Sequence, residues 1–278
     1  MCSSDLPPTA ATPPARPLVA AGTLVPPDEA TPNHGARVCK VDAQGRVYIA
    51  LGQPYNVQPR EKVARYERLG IGGIIRINGR DGQDREVLAV GIRNSVGLDL
   101  QPGSGTLWFT DNQTDRLGDD TPPGELNRVT QRPPEHFGYP WFQGRQVRIA
   151  GSAVAPDLAD LPPPERWTRP QAEFPAHQAQ LGLVFYTGEQ FPPPYRGGVF
   201  VAAHGSWNRS QPTGALVNFV PIDADGRAGE PQVFASGWLD AQGRYLGRPV
   251  DVAVWRDGSL LVSDDHAGVV WRIRHTGP

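Results

Sequence analysis

The chain has 278 residues with 29 acidic and 27 basic side chains, which gives a formal net charge of −2 at pH 7. This balance excludes the basic footprint of a nucleic-acid-binding protein, and no apolar run approaches the length of a membrane span. The 30 prolines, 32 glycines and 38% hydrophobic residues favour many short strands joined by turns.

Residues 1–33 are rich in proline, alanine and threonine. They lack the basic start and the apolar core of a signal peptide, and their composition predicts a disordered leader. We therefore expect the folded domain to cover residues 34–278.

Three segments repeat one pattern, in which an apolar residue precedes a glycine turn and then a β-run that ends in polar residues. These segments are residues 41–50, 100–111 and 254–265, and a looser copy lies at 195–204. Gly45 and Gly105 are 60 residues apart, as are Gly198 and Gly258. A period of this size with β-type sequence is typical of the stacked sheets of a β-propeller.

The repeats divide the domain into blade-like units at 34–90, 91–131, 178–236 and 237–278. We predict an all-β propeller of four-stranded antiparallel blades. Four units are few for a closed ring, so we expect this chain to be the C-terminal part of a larger propeller. Residues 132–177 interrupt the pattern with a proline-rich insertion, which is expected to serve function or to form a homodimer contact.

The common catalytic motifs of nucleotide-binding proteins, serine hydrolases and zinc proteases are absent from the sequence. Polar segments instead follow the predicted strands, at residues 33–37, 91–97, 111–120, 204–210 and 247–251. A propeller gathers such loops around one channel. We therefore expect these segments to converge on a single ligand.

These segments resemble the soluble glucose/sorbosone dehydrogenase family, six-bladed propellers that use pyrroloquinoline quinone (PQQ) and calcium. The resemblance runs from about residue 33 to 276 and rests on Gly-Ile-Arg-Asn-x-x-Gly at 91–97 and on the segment 119–140. The sequences at 204–210 and 247–252 are most similar to the sorbosone dehydrogenase branch. The resemblance implies that this chain is a truncated member that lacks N-terminal blades.

The resemblance implies that His34 is the general base, which takes a hydroxyl proton while hydride leaves the same carbon. Arg93 would stabilise the negative charge that develops on a quinone oxygen, and Asn94 would contact the quinone. Gln53 stands where glucose-type relatives carry a carboxylate, and it is expected beside His34 and the cofactor. From the residues alone, His34 could instead bond to a loop and Arg93 could hold a turn.

Arg248 matches a family arginine near the carboxylates of the cofactor. The lysine that relatives carry on the preceding blade has no counterpart, so Arg209 is the expected replacement, followed by His204. Each of these side chains could instead be a solvated loop residue.

The 111–120 loop resembles the place where relatives bind calcium, which prefers oxygen ligands. An acidic surface turn is the alternative reading of this segment. The expected metal residues are Asp111, Asn112, Gly118, Asp119, Asp120 and Glu125.

The resemblance implies a quinoprotein dehydrogenase that oxidises a sugar or a sugar-derived aldehyde of the sorbosone or aldose type. Electrons would pass to an external acceptor other than NAD. The family also implies a bacterial periplasmic or secreted protein. Two alternatives remain open: a propeller that binds a ligand or a protein without redox turnover, and a calcium-dependent lactonase-type hydrolase.

Overall fold

A computed structural model of the chain describes residues 15–35, 37–131 and 133–277. Its one α-helix, α1, covers Val63–Leu69, and single 3₁₀ turns lie at Pro27–Glu29, Arg60–Lys62, Pro156–Leu158 and Pro193–Tyr195. The strands in chain order are β1 (Cys39–Val41), β2 (Arg46–Leu51), β3 (Gly73–Asn78), β4 (Glu86–Val90), β5 (Leu98–Leu100), β6 (Leu107–Asp111), β7 (Gly124–Arg128), β8 (Glu135–His136), β9 (Phe142–Gln143), β10 (Val147–Arg148), β11 (Ala172–Phe174), β12 (Gln180–Phe185), β13 (Val199–Ala203), β14 (Leu216–Val220), β15 (Gln232–Ala235), β16 (Pro249–Val254), β17 (Leu260–Asp264) and β18 (Val269–Ile273).

The strands of the described residues form four main sheets that follow one another along the chain. Their strand orders are β1-β2-β3-β4-β8, β11-β7-β6-β5, β12-β13-β14-β15 and β16-β17-β18, and β9 pairs separately with β10. Neighbours in each main sheet are antiparallel except β8, which pairs in parallel with β4. The prediction of an all-β fold built from antiparallel blades is confirmed.

The innermost strands of the sheets pack against one another in chain order: β1 on β5, β5 on β12, and β12 on β16. Together they line a cavity of about 560 Å³, to which Lys40, Leu98, Leu183 and Val252 contribute. This radial arrangement around a shared channel is that of a propeller.

Alternating side chains from each sheet fill the layers on both of its faces. In β6, Phe109 packs between the first two sheets and Trp108 packs between the second and third. In β13, Val199 and Val201 face the second sheet, whereas Phe200 faces the fourth. Runs of buried apolar residues such as 199–203 therefore contribute to two layers at once.

Because consecutive strands are antiparallel, their connections alternate between two ends of the fold. We call one the hairpin end, with the turns 42–45, 79–85, 101–106, 186–198, 221–231 and 255–259. The other is the polar end, with residues 33–35 and 37–38 and the loops 52–72, 91–97, 112–123, 175–179, 204–215, 236–248 and 265–268.

Several turns share an Asp-x-x-Gly-Arg sequence, beginning at Asp42, Asp223 and Asp240. In each, the aspartate Oδ1 accepts hydrogen bonds from the backbone N–H groups two and four residues later. The glycine of each turn has a positive φ, which glycine adopts without steric cost. The local sequence is therefore sufficient to close these turns.

The predicted insertion takes part in the sheets. Within it, β8 joins the first sheet, and β11 is the outer strand of the second, where Ala172 pairs with Leu126. The fourth strand of the second blade is thus supplied from inside the segment expected to be an insertion. Among the described residues, no helix is both long enough and apolar enough to cross a membrane.

Residues 15–33 lie against the outer face of the first sheet, although they were expected to belong to a disordered leader. Val19, Leu24 and Val25 pack against the buried isoleucines of that sheet. Glu29 is buried and accepts hydrogen bonds from Lys62, Arg65 and Tyr66. A few apolar residues and one buried acid in this Pro/Ala-rich stretch are enough to anchor it, and the rest of the leader, residues 1–14, lies outside the described residues.

We expect Leu24→Ala to lower the free energy of unfolding by about 1 to 2 kcal/mol, less than a full core truncation because Leu24 is only half-buried. Denaturant unfolding measures the change. Leu18→Ala is the matched control, since Leu18 is exposed and should change stability by no more than about 0.5 kcal/mol. Equal effects of the two substitutions would contradict the packing of this segment.

Candidate functional site

Every residue to which the sequence assigns a role lies at the polar end. Each stands in one of its loops or at the end of a strand that opens onto it. These residues are His34, Gln53, Arg93, Asn94, Asp111, Asn112, Gly118, Asp119, Asp120, Glu125, His204, Arg209 and Arg248. Their side chains form three groups.

The first group is centred on His34, whose Nδ1 lies 2.6 Å from the carbonyl oxygen of Gln53. A carbonyl oxygen can only accept, so Nδ1 carries the proton and Nε2 of the neutral ring is left as the acceptor. Gly52 makes this approach possible, because a Cβ there would lie 2.8 Å from the His34 Cβ. Burial, and to a smaller extent the charge of Arg93, lower the pKa of His34 below its usual value of 6.5.

The Gln53 side chain is turned away from His34. Its Oε1 accepts from the backbone N–H of Tyr55, and its Nε2 donates to the carbonyl of Tyr55 and, at 3.2 Å, to the hydroxyl of Tyr139. The orientation of His34 therefore comes from the main chain of Gln53, and no carboxylate is needed in this role.

Arg93 is buried, and two of its guanidinium nitrogens have hydrogen-bond partners in the protein. Its Nε donates to the Asn56 carbonyl at 3.0 Å, and its Nη2 donates to Asn56 Oδ1 at 2.9 Å and to Asp115 Oδ2 at 2.8 Å. The backbone N–H groups of Arg93 and Asn94 donate to the two carboxylate oxygens of Asp111. Asp111 therefore fixes the backbone of the 91–97 loop, and Asn56 and Asp115 fix the Arg93 side chain.

The second group is the inner half of the expected metal residues. Asp111 and Glu125 are paired across β6 and β7 and are both about 98% buried. Burial raises the pKa of both carboxyl groups, and the negative charge of Asp111 adds to the rise at Glu125. Among the described residues, no hydrogen-bond donor reaches the buried Oδ1 atoms of Asn112 and Asn127.

Asp111, Glu125 and Asn127 share one face of β6 and β7, and Asn112 directly follows Asp111. Asn127 lies against the acids, because its Nδ2 donates to Glu125 Oε2 at 2.8 Å. Asp111 accepts from the Arg93 and Asn94 N–H groups and Glu125 accepts from Asn127 and the Gly144 N–H, so a hard cation such as Ca²⁺ would use the remaining lone pairs of these carboxylates and the two unused amide oxygens. The residues present fit that ion.

The outer half of the expected metal residues has protein partners instead. Asp119 accepts from the backbone N–H and hydroxyl of Ser210, and Asp120 lies 3.4 Å from Arg209. The carbonyl of Gly118 accepts from His177 Nε2 at 2.8 Å. The six residues therefore do not form one cluster, and Gly118, Asp119 and Asp120 join the 112–123 loop to its neighbours.

The third group surrounds Arg248, whose guanidinium donates to the carbonyls of His204 and Gly205 at 3.0 and 2.7 Å. It also lies over the ring of Tyr245, 4.7 Å from the centroid. His204 Nε2 is 2.9 Å from Asp265, yet burial lowers the pKa of His204. Because the partners of the Arg248 guanidinium are neutral carbonyls, its positive charge is available to an anionic ligand.

Residues that the sequence did not single out connect these groups. Asp115 bonds to both Arg93 and Asn208, and Asn208 lies in the same loop as His204. Asn56 and Tyr139 hold Arg93 and Gln53. Asp115 and Asn208 were inside segments recognised as polar, but only the loop conformations show which partners they have.

Known proteins are similar to this chain in sequence and in fold. Residues 157–276 match the family model described as TrAA12-like. A protein of Borreliella burgdorferi described as uncharacterized is 36% identical over 243 residues, which are 86% of this chain and 60% of that protein. The chain thus spans 60% of the length of that curated relative.

Solved structures share the fold at low sequence identity. The holo PQQ domain of pyranose dehydrogenase from Coprinopsis cinerea has a TM-score of 0.67 and 19% identity, over 87% of this chain and 70% of its own. The calcium structure of a Trichoderma reesei family AA12 enzyme has a TM-score of 0.65 and 19% identity, over 84% and 67%. The soluble aldose sugar dehydrogenase of Escherichia coli, in its apo form, has a TM-score of 0.56 and 18% identity, over 84% and 63%. At these identities the similarity establishes the fold, a β-propeller.

Proposed function

We propose that this protein is a PQQ- and calcium-dependent dehydrogenase that oxidises a sugar or a sugar-derived aldehyde. The observation that carries the proposal is the pairing of His34 Nδ1 with the Gln53 carbonyl, which leaves Nε2 as a base beside buried Arg93. The match of residues 157–276 to the TrAA12-like family and the PQQ domain among the fold relatives support the same chemistry.

The residues of the chain have distinct tasks in this proposal. His34 Nε2 accepts the proton of a substrate hydroxyl, and the fixed Nδ1–H bond keeps the ring in the required tautomer. Arg93 and Asn94 lie on a loop held by Asp111, so their donors are oriented before any ligand arrives. Bound PQQ would supply the two-electron acceptor, and an external acceptor would reoxidise it.

Arg248 is the proposed partner for cofactor carboxylates, with His204 beside it. Arg209, whose guanidinium donates to the Asp119 carbonyl, is the further candidate of the 204–215 loop. Calcium is assigned to Asp111 and Glu125, supported by the amide oxygens of Asn112 and Asn127. Sorbosone or aldose substrates, a periplasmic or secreted location and a homodimer are further elements of the proposal that come from the family resemblance.

Reconstitution tests the proposal directly. The purified chain is incubated with PQQ and Ca²⁺, and the absorbance of bound quinone and the reduction of a dye with a panel of aldoses and aldehydes are measured. We expect dye reduction only with PQQ, Ca²⁺ and sugar together. Quinone binding without turnover would favour a ligand-binding propeller, and quinone-independent hydrolysis of a lactone would favour a hydrolase.

A further inference from the structure

Asp115 joins loops from three different sheets at the polar end. Its Oδ2 accepts from Arg93 Nη2 at 2.8 Å, and its Oδ1 accepts from Asn208 Nδ2 at 2.9 Å. Its backbone N–H donates to Asn56 Oδ1 at 2.8 Å, and the Asn56 amide returns a bond to the Asp115 carbonyl at 3.1 Å. The loops 52–72, 91–97 and 204–215 therefore all contact one residue of the loop 112–123.

The carboxylate of Asp115 balances the charge of Arg93. The Arg93 side chain is 4% exposed, and its other partners are the neutral oxygens of Asn56. A guanidinium buried this deeply is strongly destabilising without a counter-ion. Asp115 is therefore the carboxylate that contacts this guanidinium directly, whereas Asp111 bonds to the Arg93 backbone.

The two oxygens of Asp115 act on different elements. One oxygen holds Arg93 of the 91–97 loop beside His34. The other holds Asn208 of the 204–215 loop, whose carbonyls bind Arg248. This connection links the first group, through Asn208, to the loop that contacts Arg248. The 204–215 loop is also attached through Ser210 to Asp119, so loss of the Asp115–Asn208 bond would loosen the loop at one of its attachments.

We propose that Asp115 is the positioning residue of this site, which fixes Arg93 beside His34 with one oxygen and locks the 204–215 loop across it with the other. The inference rests on the proposed function for its catalytic consequence. Its structural consequence, the geometry and charge around His34, can be measured without cofactor or sugar.

Asp115→Asn removes the negative charge and keeps the size of the side chain. Its amide oxygen can still accept a hydrogen bond from Asn208. In the PQQ-loaded chain we expect kcat to fall about 10- to 100-fold, as misplaced groups in active sites do. Asn208→Ala removes only the bond from Asp115 to the 204–215 loop and leaves the Asp119–Ser210 contact in place, so we expect a KM several-fold higher with kcat nearly unchanged.

A second readout uses the cofactor-free full chain. The His34 imidazole is followed by NMR, with its signal assigned by its absence in His34→Gln. Burial, Arg93 and Arg37 lower the pKa of His34, whereas the bond to the Gln53 carbonyl and the Asp115 charge raise it. Asp115→Asn should therefore lower the pKa of His34, and Asn208→Ala should leave it in place.

Asp42→Asn is the matched control, because Asp42 forms an aspartate–arginine pair with Arg46 at the hairpin end. It should leave kcat and the His34 titration as in the unmodified chain, even where it lowers stability. The proposal is overturned if folded Asp115→Asn keeps kcat within twofold and leaves the pKa of His34 unchanged. Should that variant not fold, the proposal is overturned if Asn208→Ala leaves KM unchanged. If no sugar is oxidised by any form, the proposed function fails, and the His34 titration still tests Asp115.

Discussion

We expect His34→Gln to lower kcat for sugar oxidation by about 10²- to 10⁴-fold in the chain loaded with PQQ and calcium, the usual loss when a general base is removed. Glutamine retains a donor for the Gln53 carbonyl and approximates the ring in size, but it cannot accept a proton. The free energy of unfolding should change little, because His34 is only partly buried. Steady-state dye reduction and thermal unfolding measure the two quantities.

The matched control is His266→Gln, an exposed histidine in another loop of the polar end, whose activity should equal that of the unmodified chain. An activity within tenfold of the unmodified chain for His34→Gln would rule out His34 as the base.

The dependence of activity on pH is an independent test of His34 as the base. Because burial and Arg93 lower the pKa of His34, the neutral imidazole is the main form throughout the range above 6.5. Activity should therefore be flat from neutral pH down to that value and decline only at lower pH, as the ring is protonated. If activity begins to decline above pH 7, the group whose protonation causes the decline is not His34.

The second large effect concerns Glu125. If calcium binds between Asp111 and Glu125, the ion stabilises the folded chain by mass action, by about 2.7 kcal/mol at a concentration one hundred times its Kd. Glu125→Gln removes one of the two buried charges that would bind the ion. We expect the rise in melting temperature with added Ca²⁺ to disappear in this variant.

Asp119→Asn distinguishes the inner from the outer half of the acidic residues. Asp119 is bound to Ser210, so its variant should keep the calcium-dependent rise in full. If Asp119→Asn abolishes the rise and Glu125→Gln retains it, the ion lies in the outer loop and the assignment to Glu125 is wrong. Isothermal calorimetry with Ca²⁺ gives the Kd of each form.

The strands, and the end of the fold at which the candidate residues lie, could be predicted because they depend on local sequence. Turn glycines Gly45, Gly105 and Gly258 have positive φ, as hairpin turns require, and polar runs after strands fall at one end. The fourth repeat is displaced by one residue, since Gly197 and not Gly198 has the positive φ. Alternation of strand direction is sufficient to bring distant loops together.

The side-chain partners at that end could not be predicted. Asp115 and Asp119 are four residues apart in one loop, yet one pairs with buried Arg93 and the other with exposed Ser210. Strand β11 could not be predicted for the same reason, because its three residues form a strand only by pairing with β7. Such contacts depend on the folded path of loops, which composition and spacing do not encode.

The shared bonding of Asn56, Arg93 and Asn208 to a single aspartate has a consequence for redesign. Here a graft that replaces one loop would strand the partners in the other three, so altered selectivity requires these segments to be transplanted as a set, while the turns at the far end can stay untouched.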